Sequence, residues 1–97
     1  MEQIERIRRM EQTLDEATGA VQALARALEE YRAVLPRLCA LVQYYEGEDW
    51  RRDFEADEDG LLPADLKRGV LSEDAVYDLL EENDDLMQQL RQLGRGE

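Results

Sequence analysis

Apolar residues recur from Ile7 to Tyr45 at alternating steps of three and four: Ile7, Met10, Leu14, Ala17, Val21, Leu24, Leu28, Tyr31, Leu35, Leu38, Val42 and Tyr45. No step in this series lands on a charged side chain. The spacing holds one face of a helix against a partner helix, so it predicts a long helix over residues 1–46 with a heptad seam. Gly19 lies off the seam and costs about 1 kcal/mol relative to Ala. Pro36 removes the hydrogen bond to the carbonyl of Arg32 and costs about 3 kcal/mol in a helix interior. The seam keeps its phase on both sides of Pro36, which predicts one helix kinked at that point. A break there is the alternative, and three shorter helices would then close a monomeric bundle.

A second periodic segment predicts a helix over residues 72–93. Ser72 is a suitable N-cap, Glu73 and Asp74 place negative charge at the positive helix end, and Gly94 is a natural stop. Leu71 before the cap and Val76 at the fourth helical position have the spacing of a hydrophobic staple. The apolar line reads Val76, Leu79, Asn83, Leu86, Leu90 and Leu93, flanked by Leu80 and Met87. A polar Asn83 within such a line fixes register and partner orientation at some cost in stability.

Residues 47–71 form an acidic connector. Across 46–66 there are nine acids and two arginines. Trp50 and Phe54, four apart, suit one face of a short helix. In residues 62–69, Pro63 suits a first turn, Lys67 and Arg68 a last turn, and Gly69 a stop, so one or two short helices are expected in the connector. The fold class is therefore all-α in a single domain: a long kinked N-terminal helix, short connector helices, and a C-terminal helix folding back antiparallel in a helical hairpin or bundle. The last helix spans roughly 33 Å and the seam roughly 57 Å. The seam's remainder needs the connector, a second copy or another protein to cover it, and a homodimeric bundle is the simplest solution.

Composition narrows the functional classes. With 12 Lys and Arg against 24 Asp and Glu, the net charge is −12. Nucleic acid and anionic membrane are bound through cations, so direct contact with either is excluded. No apolar run approaches the roughly 20 residues of a membrane span, and residues 1–20 do not read as a signal peptide. A soluble, cytoplasmic protein is expected. The chain has no histidine, which removes histidine-activated nucleophiles and histidine metal sites. The lone Cys39, one residue past Leu38, reads as a small buried packing residue.

Acidic residues supply the remaining candidate chemistry. Asp53 and Asp57 share a helix face as a possible carboxylate pair, but acid–base work needs a pocket that a narrow bundle does not offer. Residues 55–60 resemble the opening of a calcium loop, yet Leu66 stands where the bidentate acid belongs. No catalytic residue, metal ligand or cofactor is assigned. Tyr44, Tyr45, Trp50 and Phe54 cluster near the turn and read as corner packing, with an exposed Trp50 anchor as the sharper reading. Asp74, Asp78, Glu81 and Asp85 line one side of the last helix. That row is either an ordinary solvated face or a phosphate-like one.

The stretches YYEGEDW and FEADEDGLLPADLKRGVLSEDAVYDLLEEN, with residues 62–80 the most specific part, resemble a bacterial family catalogued as domain of unknown function 4298. The resemblance implies a small, stand-alone helical protein of bacterial or phage-related source, and no activity or cofactor. The expected function is noncatalytic protein–protein interaction through the apolar seam, with itself as a homodimer or with another protein. Leu14, Val21, Leu24 and Leu28 carry the seam on the first helix, and Leu79, Asn83, Leu86 and Leu90 on the last. Trp50, Phe54, Asp53, Asp57 and the row Asp74, Asp78, Glu81 and Asp85 are the candidate partner-facing residues. The alternative is an acidic nucleic-acid mimic that occupies the basic groove of a DNA- or RNA-handling protein.

Overall fold

A computed structural model describes residues 1–96. Helix α1 runs Glu2–Tyr45, α2 runs Glu48–Glu58, a 3-10 turn covers Gly69–Leu71, and α3 runs Ala75–Gly94. The described residues contain no strand, so the chain is all-α as the periodicity indicates. It divides into two units, Met1–Cys39 and Ala40–Glu97, with the boundary inside α1.

The first unit is helix alone. α1 continues through Pro36 without interruption, so the proline costs one hydrogen bond and does not divide the helix. Leu, Ala and Arg on both sides are strong helix formers and favour continuation. No residue of α1 is buried.

In the second unit α1 ends at Tyr45, and α2 begins three residues later with Glu48 and Asp49 in its first turn, where the helix dipole favours acids. α2 closes on a Schellman motif. The N–H of Gly60 donates to Asp57 at 3.1 Å and that of Leu61 to Ala56 at 3.0 Å. Gly60 sits at φ 70°, the left-handed conformation this motif demands of its C′ residue. The calcium-loop-like run 55–60 is thus the C-terminal turn of a helix.

Residues 62–68 do not form the short helix expected of them. Only a single turn forms, with Leu66 N–H bonded to Pro63 O at 3.2 Å, and the helical geometry shifts to the 3-10 turn at Gly69–Leu71. Arg68 explains the change. Its guanidinium donates to the carbonyls of Pro63 (2.9 Å) and Ala64 (3.2 Å) and pairs with Asp57. The loop is closed by a side chain instead of by a backbone ladder.

Ser72 caps α3 as expected. Its backbone is extended, and its Oγ accepts from the N–H groups of Asp74 and Ala75, each at 3.3 Å. The regular ladder then begins with Asp78 N–H to Asp74 O, which is why the helix starts at Ala75 and not next to the cap. Leu71 and Val76, the staple pair, are the buried residues of the described chain at 6% and 3% exposure. The C-terminal stop differs from expectation: Gly94 is the last helical residue, and the left-handed glycine is Gly96 at φ 80°.

Two glycines predict opposite outcomes for the same substitution. Gly60→Ala forces a Cβ into the left-handed region and should lower stability by about 1 kcal/mol, whereas Gly19→Ala, in open helix surface, should raise it by a similar amount. Thermal denaturation followed by circular dichroism, at one protein concentration, checks both signs.

Candidate interaction surface

Most of the apolar seam of the N-terminal unit is exposed, and Tyr31, between Leu28 and Leu35, is half-buried. Ile7, Met10, Leu14, Val21, Leu24, Leu28 and Leu35 are all exposed, Val21 at 66%, Leu24 at 46% and Leu28 at 39%. Ala17 adds a small member to the same row. From Ile7 to Leu35 the row extends about 42 Å at 1.5 Å per residue. An amphipathic helix draws most of its stability from packing its apolar stripe.

The C-terminal unit splits the apolar residues of α3 between two lines. Val76 is buried, and Leu80, Asn83 and Met87 are half-buried, four, three and four residues apart. Leu79, Leu86, Leu90 and Leu93 are exposed. The residues read as flanking the seam are therefore better covered than most of the seam. Leu79–Leu80 and Leu86–Met87 are adjacent apolar pairs, and periodicity alone does not decide which member turns inward.

The aromatic corner is built inside the second unit. Trp50 is half-buried, stacked on Phe54 with centroids 5.2 Å apart and edge-on to Tyr45 at 5.3 Å. Its Nε1–H donates to Val70 O at 2.9 Å, which ties α2 to the 3-10 turn. Tyr45 Oη reaches Glu73 O at 3.5 Å. Tyr44 Oη donates to Asp53 Oδ2 at 2.6 Å. Asp57 holds Arg68. Trp50, Phe54, Asp53 and Asp57, singled out as partner-facing, are thus engaged in this corner. Asp74, Asp78, Glu81 and Asp85 are exposed along α3. Cys39 departs from the reading as a buried packing residue: it is free and exposed, because it sits one step off the Leu38 position on a helix face that nothing covers.

Among the described residues, Tyr44 is the one group with a strongly shifted ionisation. Its phenol is pushed up to about 12 by desolvation first, then by its hydrogen bond to Asp53 and the charges of Asp53 and Asp49. Each cause favours the neutral phenol. At neutral pH it is a hydrogen-bond donor locking the end of α1 to α2, not a proton acceptor. Sequence reasoning did not find the Tyr44–Asp53 and Asp57–Arg68 pairs, which join residues 9 and 11 apart across turns.

The Tyr44 contact gives a pH dependence of known sign. Its folded-state value lies above the ordinary 10, so its contribution is complete below pH 10 and lost as pH rises from 10 toward 12. Asp53→Asn should move the phenol back toward 10, read as the ultraviolet difference between each protein and its Tyr44→Phe counterpart.

No helix among the described residues is long and apolar enough to cross a membrane. The chain matches no curated protein and no solved structure. The family model described as Domain of unknown function (DUF4298) matches residues 7–93, and the chain belongs to that family.

Proposed function

We propose that this chain is a noncatalytic protein–protein interaction protein of bacterial origin that works in the cytoplasm and self-associates through the apolar seam of α1. The observation that carries the reading is the exposed row from Ile7 to Leu28 on a helix with no buried residue. Completing the burial of one half-exposed aliphatic side chain contributes about 1 kcal/mol. The seam therefore acts as a row, and a second seam of the same length is its natural complement. A C2 homodimer supplies that complement from the same sequence. The absence of histidine supports a noncatalytic role, and a single free cysteine suits a reducing compartment.

Leu24→Asp should shift the protein from dimer to monomer in sedimentation equilibrium, weakening association at least about a hundredfold, since it buries unpaired carboxylates. Changing Asp74, Asp78 and Asp85 to Asn with Glu81 to Gln should leave the mass unchanged. A Leu24→Asp protein that remains a dimer overturns the seam reading. Capture of a basic nucleic-acid-handling protein, lost with the acidic row and indifferent to Leu24→Asp, would establish the charge mimic instead.

A further inference from the structure

Resting on the self-association reading, we infer that two copies of α1 pair antiparallel in one defined register, Leu14 opposite Leu24, Met10 opposite Leu28 and Ala17 opposite Val21, with the two-fold axis beside Gly19. The seam residues that must meet are exposed and lie within the N-terminal unit. Charge sets the direction and the register.

Beside the middle of the seam the flanking residues are small and uncharged, Thr13, Ala20 and Ala27 on one side and Thr18 and Ala25 on the other, with Arg6, Glu11 and Arg32 only toward the ends. Small flanks let helix axes approach toward the lower end of the usual 8–10 Å. The charged residues one step further out then reach across. In the stated register Arg8 faces the second copy's Glu29, Arg9 faces its Glu30, and Glu2 faces its Arg37. Each pair is made twice by the symmetry, and no two like charges meet among these outer positions.

Neighbouring registers fail the same test. A slip of one heptad toward the N-terminus sets Asp15 against its own copy, Glu16 against its own copy, and Glu2 against Glu30. A slip the other way sets Arg9 against Arg37, Asp15 against Glu29 and Glu16 against Glu30. Like charges at such positions oppose association. A parallel pair gains Arg6 against Glu11 but stacks Ala17 on Ala17, leaving a thin layer where the antiparallel pair has Val21.

The distribution of net charge independently opposes a parallel pair. Residues 1–39 hold seven acids against six arginines, while residues 40–97 hold seventeen acids against six cations. The seam-bearing unit is nearly neutral, and almost all of the −12 lies beyond it. Parallel pairing sets the two Cys39 positions, after which the acidic units begin, side by side. Antiparallel pairing about Gly19 separates the two Cys39 positions by about 60 Å, far beyond the screening length of roughly 8–10 Å in physiological salt.

Cysteine cross-linking decides the matter. In full-length protein carrying Cys39→Ala, the double variant Met10→Cys/Leu28→Cys should oxidise to a covalent dimer, while Met10→Cys and Leu28→Cys alone should not. Facing cysteines within disulfide reach link, and those several turns apart cannot. Circular dichroism verifies helix content, and sedimentation equilibrium under reducing conditions gives the noncovalent mass. Linking of Met10→Cys to itself overturns the antiparallel register and shows a parallel dimer, with self-association intact. A noncovalent dimer that links in none of the three overturns the register in the same way. A reduced protein that sediments as a monomer and never links overturns both this inference and the reading beneath it.

Discussion

The governing constraint is one of length. α1 has 44 residues and α3 has 20, or about 66 Å against 30 Å of helix axis. α3 is too short to run the full length of the apolar row that begins at Ile7. A small chain already buries a modest fraction of its surface, and here the buried residues are two, Leu71 and Val76, among the described ones. The longest amphipathic element carries most of its apolar row exposed. The proposed self-association answers that difference in length.

The second unit compensates for its thin core with directional contacts. Trp50 bonds a backbone carbonyl, Tyr44 a carboxylate, and Arg68 a carboxylate and two carbonyls. These bonds satisfy polar groups of a loop that has no ladder of its own, and leaving such groups unpaired would be costly. The acidic connector is thereby an ordered corner in which Asp53 and Asp57 have defined partners. Its remaining carboxylates stay at the surface, and they account for much of the negative charge.

What was legible in the sequence was whatever local spacing determines. The three- and four-residue steps marked α1 and α3, the phase preserved across Pro36 indicated one helix running through it, and Ser72 announced the cap. The features that escaped depend on partners distant along the chain. Nothing near Arg68 reveals that Asp57 will claim it, so residues 62–69 resembled a short helix by their end signals alone. Cys39 looked buried because its neighbour is a seam residue, yet a seam without its partner covers nothing beside it. On α3, choosing Leu80 over Leu79 requires the position of the packing surface, which the repeat does not encode.

Charge segregation links these observations to the proposed assembly. A protein at −12 would resist pairing with itself if its charge were evenly spread. Here the shaft carries seven acids and six arginines, and Arg8 and Arg9 fall where the second helix of an antiparallel pair would present Glu29 and Glu30. The C-terminal unit bears the repulsion instead. Such a division leaves the hydrophobic row free to associate while penalising the arrangements that bring acidic units together. Attraction along the seam supplies affinity, and repulsion away from it selects orientation, since specificity is a difference between the favoured pairing and its competitors. A more acidic shaft would lose the first effect, and a neutral C-terminal unit would lose the second.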